Sequence, residues 1–130
     1  MVTFKLGAVQ LELHGCVLTF SSPSSSGRFD VAFPGTCAFA DNAKGAVQVV
    51  TTPQGPVVFV EASRPVPPSY PGEHSCDTRL RGVVVRGKSV FVSRDIQKVA
   101  SCASGPWDDA MAHVFALHTI PISHLSADGG

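Results

Sequence analysis

Several signatures of membrane proteins and of common enzymes are missing from this sequence of 130 residues. No apolar run approaches the roughly 18 residues of a membrane-spanning helix. The longest candidate, residues 9–20, is interrupted by Glu12 and His14. The chain also lacks a Gly-x-Gly-x-x-Gly motif, a phosphate-binding loop and a Gly-x-Ser-x-Gly elbow. The sequence therefore predicts no membrane span, no cofactor and no catalytic residue.

Charged residues are scarce and balanced. They make up 15% of the chain, with ten Lys and Arg against ten Asp and Glu, whereas hydrophobic residues make up 44%. This composition is typical of a globular protein, and the length suffices for one domain with its own core. A net charge of zero gives no overall field that would attract nucleic acid or an anionic membrane. We expect one β-rich domain over residues 1–125 and a frayed tail at residues 126–130.

The four cysteines form an even set in which no two have the close spacing of a zinc-binding or redox pair. Of the three possible disulfide connectivities we favour Cys16–Cys37 and Cys76–Cys102, because each encloses a local hairpin. Free buried thiols, and a metal-binding or nucleophilic role, are the alternatives. Disulfides persist in oxidising compartments. We therefore expect a periplasmic or secreted protein whose leader peptide is absent from this sequence, since Met1 leads directly into a predicted strand.

Alternating apolar and polar residues predict strands over most of the chain. Residues 2–6 and 9–20 are predicted strands, and the apolar run at residues 57–60 indicates a central strand that is covered on both faces. Residues 78–85 are expected to pair with residues 88–93 through an Arg86-Gly87 turn, which places Val83 opposite Val90. Residues 93–99 are predicted to form a helical turn that brings Cys102 back to Cys76.

One helix is predicted near the C-terminus. It would begin at Ser104-Gly105-Pro106, where Pro suits the first helical position and acidic residues follow. Trp107, Met111, Val114 and Phe115 would share its buried face, and a strand over residues 113–122 is the alternative. The predicted fold is mainly β, an antiparallel β-sandwich or partly open barrel with one short C-terminal helix.

A basic hairpin is the first candidate site for a partner. Six of the ten basic residues lie between residues 79 and 98, and a ribbon of this kind binds acidic proteins, glycans or phosphate-bearing cell-wall polymers. Nucleic acid is not the expected partner, because Phe91 is the sole aromatic residue of the hairpin. The alternative is a solvated hairpin that discourages edge-to-edge aggregation. The basic residues are Arg79, Arg81, Arg86, Lys88, Arg94 and Lys98, and Arg86 and Lys88 are expected at the hairpin tip, contributing little to packing.

Tyr70 is the second candidate. It is the only tyrosine of the chain and lies in the proline-rich segment 63–72, which is expected to be a stiff, extended loop. An amphipathic ring on a stiff loop suits a binding anchor, because little conformational entropy is lost on docking. A purely structural connection is the alternative.

These features together predict a non-enzymatic extracytoplasmic binding domain. Its partner would be another protein with an acidic surface, and its role would be to inhibit or neutralise a secreted enzyme or toxin. The alternative is a small enzyme or metal-binding protein with a site assembled from scattered His, Cys and Asp. The spacing of His113, His118 and His124 does not place three metal ligands on one helix face.

Overall fold

The computed structural model describes residues 2–23, 25–33, 35–72, 75–102 and 105–122. Over these residues the protein has eleven strands in two antiparallel sheets, and one short helix near the C-terminus. The sheets do not close into a barrel, so the mainly β fold is confirmed in its sandwich form. The predicted tail at residues 126–130 lies outside the described residues.

The elements are β1 (Val2–Leu6), β2 (Val9–His14), β3 (Val17–Ser21), β4 (Ser26–Asp30), β5 (Cys37–Phe39), β6 (Val50–Thr52), β7 (Gly55–Pro65), β8 (Cys76–Arg86), β9 (Ser89–Ser93), β10 (Gln97–Val99), α1 (Asp109–Leu117) and β11 (Thr119–Pro121).

The first sheet, which we call sheet A, is a meander in the order β1-β2-β3-β4. Alternation along its strands buries the residues of one face and leaves a polar outer face. The prediction of one strand over residues 9–20 is wrong, because Gly15 adopts a φ of +61° and turns the chain. The turn pairs His14 with Val17 and so separates β2 from β3.

The second sheet, sheet B, has the order β11-β9-β8-β7-β5, with β10 paired to β8 and β6 paired to β7. Its central strand β7 is buried on both faces, as predicted for residues 57–60. Val58 and Val60 join a core shared with sheet A, whereas Val57 and Phe59 join a second core under α1. The molecule is therefore layered as sheet, sheet and helix. β7 also runs further than expected, since Pro65 ends it opposite Cys76 within the segment predicted to be a loop.

Helix α1 begins later than predicted. Its cap is Asp108, whose Oδ1 accepts a 2.8 Å hydrogen bond from the backbone N of Ala110. The backbone of Trp107 is held instead by Gln48, which accepts from its N and donates to its O, both at 2.8 Å. These bonds keep Trp107 out of the helix, so the predicted start at Gly105-Pro106 is wrong, and Ser104 lies outside the described residues.

Residues 113–122, for which a helix and a strand were the two predicted alternatives, contain part of each. The helix ends at Leu117, and the chain continues as strand β11. The buried residues of α1 are Ala112, Phe115 and Ala116. Phe115 is therefore buried as predicted, whereas Val114 is 54% exposed. Phe115 packs directly on Gly82 of β8, where an added Cβ would lie 2.7 Å from the Phe115 Cβ.

The β8–β9 hairpin exists, but its register differs from the prediction by two residues. Val83 faces Val92, and the two turn residues are Gly87 and Lys88. Gly87, with a φ of +63°, occupies the first turn position, where two-residue hairpins favour glycine. A shift of two residues keeps every side chain on its expected face, because the side-chain period of a strand is two.

The predicted helical turn at residues 93–99 is wrong, because β10 forms there. Val92 pairs with Val83 of β8, and Gln97 pairs with Leu80. The chain therefore advances five residues from Val92 to Gln97 while the paired strand β8 advances only three. The extra residues form a bulge between β9 and β10. Ser93 holds this bulge: its Oγ accepts from the backbone N of Gly82 at 3.0 Å and donates to the backbone of the bulge at 2.9 Å. Ser93 therefore stabilises the bulge in sheet B and does not cap a helix.

Candidate functional site

All four cysteines are disulfide-bonded, with the connectivity predicted from the sequence. Cys16–Cys37 ties the β2–β3 turn of sheet A to β5 of sheet B, and Cys76–Cys102 ties the start of β8 to the chain after β10. Bonded sulfurs are not available as thiolate ligands or nucleophiles. Among the described residues, no three His, Cys, Asp or Glu side chains are grouped to hold a metal ion. The sequence candidate His124, and His74, lie outside those residues.

The basic residues of the hairpin do not form one surface. Arg79 and Arg81 project from the face of β8 that Val83 and Val85 present to sheet A, whereas Arg86 projects from the helix face. Seven residues separate Arg79 from Arg86, which corresponds to about 23 Å along a strand. The two ends of β8 are therefore separate places on the molecule.

Arg86 is a structural residue. Its Nε donates to the backbone O of Gln54 at 3.1 Å, its Nη2 donates to the backbone O of Ala116 at 3.1 Å, and its guanidinium lies 4.5 Å from the ring centroid of Phe91. It fastens the β6–β7 turn and the end of α1 to the hairpin. The expectation that Arg86 contributes little to packing is wrong, although Lys88 is exposed at the tip as expected.

Arg81 is also largely committed to the fold. Its Nη1 donates to the backbone O of Ser93 at 2.7 Å, and its guanidinium carbon lies 5.1 Å from the ring centroid of Phe29. Its buried Nε has no hydrogen-bond partner among the residues that the structure describes. Burial lowers the pKa of Arg81 below its ordinary value, and the charge of Asp95 partly offsets this. An arginine remains charged at neutral pH nevertheless.

Three basic residues, Arg64, Arg79 and Lys98, lie at the end of the β7–β8 hairpin where Cys76 is located. Asp77 is held between two guanidinium groups, 3.3 Å from the Nη2 of Arg64 and 3.3 Å from the Nε of Arg79. The hydrogen bond from Arg79 is the main cause of the lowered pKa of Asp77. Lys98 of β10 pairs with Arg79 across the sheet and therefore shares its face. We call Arg64, Asp77, Arg79 and Lys98 the basic end, which carries three cations and one carboxylate.

Arg64 is the member of the basic end that sequence reasoning missed. The prolines around it suggested a loop, whereas β7 continues through Arg64 and places it opposite Asp77. Pairing of β7 with β8 as far as Cys76 would have predicted its position, because that pairing places Arg64 on the same face as Arg79.

Tyr70 lies in the loop at this same end of the hairpin. The loop follows Pro65 and is closed at its base by a 3.1 Å hydrogen bond from the backbone N of Val66 to the backbone O of Ser75. The Tyr70 side chain is 62% exposed. The structure thus places the second sequence candidate in the loop that joins β7 to β8, at the hairpin end that carries Arg79 and Cys76.

A separate groove crosses the outer face of sheet A. Its volume is about 420 Å³, and its floor is formed by β2, β3 and β4. Glu12 accepts a 2.8 Å hydrogen bond from the Nε2 of Gln10, and this bond, together with His14 at 3.1 Å, lowers the pKa of Glu12. Sequence reasoning did not single out this groove. It is lined by Gln10, Glu12, Thr19, Phe20, Ser21, Ser26, Gly27 and Arg28.

Comparison with known proteins gives no assignment. No protein-family model, no curated protein and no solved structure matches the chain. In the part of the chain that the structure describes, no helix has the length and apolar character needed to cross a membrane. Any functional assignment therefore depends on the surfaces described above.

Proposed function

We propose that this protein is a non-enzymatic extracytoplasmic binding domain that recognises an acidic surface on another protein. The observation that supports this proposal is the basic end, where Arg64 and Arg79 hold the carboxylate of Asp77 and Lys98 lies opposite Arg79. The loop that carries the exposed Tyr70 leaves the hairpin at this end. The four described side chains of the basic end carry two positive charges in excess, although the whole chain is neutral.

Each part of this surface suits recognition of a protein. Partly exposed cations steer an acidic partner during encounter and fix its orientation. A tyrosine contributes a large amphipathic contact area with few rotatable bonds, and aromatic residues are enriched among binding hot spots. The Cys76–Cys102 disulfide links the start of β8, which carries Arg79, to the chain after β10, which carries Lys98. This constraint lowers the entropic cost of association.

The two disulfides support a periplasmic or secreted location. Protein recovered from an oxidising compartment is expected to show no reactive thiol when it is denatured without reductant. About two or more thiols per chain in that titration would contradict the extracytoplasmic assignment. A stapled domain with one charged end suits a blocking role, so we also propose that it inhibits or neutralises a secreted enzyme or toxin by covering its surface.

Charge reversal tests the basic end. The double variant Arg64→Glu with Lys98→Glu changes two exposed members, and Lys44→Glu with Lys88→Glu makes the same change in net charge at exposed positions elsewhere. Immobilised wild-type protein and both variants are incubated with the secreted or periplasmic fraction of the source organism. We expect proteins that are retained by the wild type and the control variant to be lost from the basic-end variant, with retention that weakens as salt increases.

Equal retention by both double variants would contradict the proposal, because the basic end would then contribute nothing specific. Immobilised heparin provides a second comparison. If heparin retains the wild type and the control but not the basic-end variant, while no protein depends on the basic end, the partner is an anionic glycan and the protein-binding proposal is wrong.

A further inference from the structure

Strand β10 has one uncovered edge in the described part of the chain. β11 pairs with β9 as far as Ser93, and the backbone N of Arg94 donates to the backbone O of His118 at 2.9 Å. The chain just before β11 leaves the sheet as helix α1, so it does not continue this pairing alongside β10. Among the described strands β10 therefore pairs with β8 alone. A strand edge of this kind offers backbone groups to another chain. The backbone O of Lys98 accepts a 3.3 Å hydrogen bond from the Nε2 of Gln97, an exposed side chain that an added strand would displace.

The two sides of this edge differ in chemistry. Lys98 pairs with Arg79 and lies on the face of the basic end, whereas Gln97 and Val99 pair with Leu80 and Thr78 on the helix face. A strand added to β10 would place alternate side chains on these two faces. Every second side chain would therefore lie on the face that carries Lys98.

The helix face beside β10 holds a groove of about 570 Å³ between the bulge and α1, which is mainly apolar but has Asp95 and Gln97 in its lining. Ile96, Met111 and Val114 line it, and Ile96 and Val114 are 42% and 54% exposed. Leu117 is 63% exposed further along α1. A surface helix normally turns polar residues outward, so exposed apolar residues on both the helix and the neighbouring bulge indicate a contact surface.

We propose that β10 receives an extended segment of the protein partner as an additional strand, and that this segment alternates acidic and apolar residues. Its acidic side chains lie over Lys98 and Arg79, and its apolar side chains enter the groove beside Ile96 and Val114. This inference rests on the proposed function and deepens it, because it names the chemistry and the conformation of the recognised segment.

A second copy of the chain is a poorer occupant of this edge. Antiparallel pairing of β10 with its own copy about a two-fold axis would bring the two basic faces together, each with Lys98 and Arg79. Like charges directly opposite in a sheet are destabilising. The charge of the edge therefore favours an acidic partner over self-association.

Synthetic peptides test the proposal directly. The probe is a capped octapeptide in which Val and Glu alternate, and binding is measured by calorimetry with the intact, disulfide-bonded protein. We expect it to bind at least about tenfold more tightly than three controls, a difference of about 1.4 kcal/mol. The controls are the same residues in two blocks, an alternating Val and Lys peptide, and the alternating Val and Glu peptide with N-methyl groups along one edge.

Protein variants locate the binding. Val114→Asp should weaken binding of the alternating peptide by at least about tenfold, whereas Val49→Asp, at a position that is 41% exposed and does not line the groove, should leave it unchanged. Val114→Ser provides a milder version if Val114→Asp fails to fold. Lys98→Glu should weaken binding of the Glu peptide and improve binding of the Lys peptide.

Three results would overturn strand addition. The first is equal binding of the alternating, block and N-methylated peptides. If the basic end is still required for partner retention in that case, the proposed function survives and strand addition alone fails. The second is concentration-dependent dimerisation that Val114→Asp abolishes, which would assign the groove to a second copy. The third is peptide binding that Val49→Asp and Val114→Asp weaken equally.

Discussion

Replacement of Arg86 by methionine tests whether this side chain holds three parts of the molecule together. Methionine keeps most of the aliphatic volume but removes the donors to Gln54 and Ala116 and the contact with Phe91. Hydrogen bonds from charged donors contribute about 1.5–3 kcal/mol, and we take about 1 kcal/mol for each because the site is only partly buried. The cation–π contact adds about 0.5–1 kcal/mol. Arg86→Met should therefore lower the free energy of unfolding by about 2.5–3 kcal/mol.

Denaturant unfolding and thermal melting measure this loss. We expect a fall in Tm of about 8–12 °C for a chain of this size. Lys88→Met at the neighbouring turn position is the matched control and should stay within about 0.5 kcal/mol of the wild type. Arg86→Lys should fall between the two, because lysine keeps the charge but lacks the forked donors. If Arg86→Met and Lys88→Met unfold at the same denaturant concentration, the structural role assigned to Arg86 is wrong.

Three further variants test other parts of the structure. Gly82→Ala should destabilise the fold by about 1–3 kcal/mol, because the new Cβ collides with Phe115; unchanged denaturant unfolding would contradict the helix packing. Trp107→Phe removes the 2.8 Å hydrogen bond to the buried Glu61 and should cost about 1–3 kcal/mol, measured in the same way at neutral pH. The pKa of Asp77 is lowered, so its contribution is present at neutral pH and is lost as pH falls through the carboxylate range. Asp77→Asn should therefore flatten the decrease of Tm between about pH 5 and pH 2, and an unchanged slope would argue against the ion pairs.

The features that were predicted correctly depend on local patterns. The central strand at residues 57–60 follows from a short apolar run, and the disulfide pairing follows from the local segments that each bond encloses. The register error in the β8–β9 hairpin also has a local origin, since Gly87 fits the first turn position better than the second. Alternation alone fixes the face of a side chain but not its partner across the sheet.

The features that were missed depend on contacts between distant parts of the chain. β10 is three residues long and exists through its pairing with β8, so residues 93–99 carry no strand signal of their own. The start of α1 is delayed by Gln48, which lies 59 residues earlier in the sequence. Arg64 joins the basic end only through the β7–β8 ladder. The sequence candidates Arg79 and Tyr70 were identifiable individually, but their position at one end of the hairpin required the fold.

The positions of the two disulfides divide the chain into halves that no covalent cross-link connects. Cys16–Cys37 closes before the Tyr70 loop, and Cys76–Cys102 closes after it. A single cut in that loop would leave two fragments, one with β1 to β7 and the other with β8 to β11 and α1. Each fragment would keep its own disulfide, and the nine residue pairs between β7 and β8 would join them. We therefore expect a cut at Tyr70 to yield two fragments that can be tested as a complementation pair, since each keeps its own disulfide.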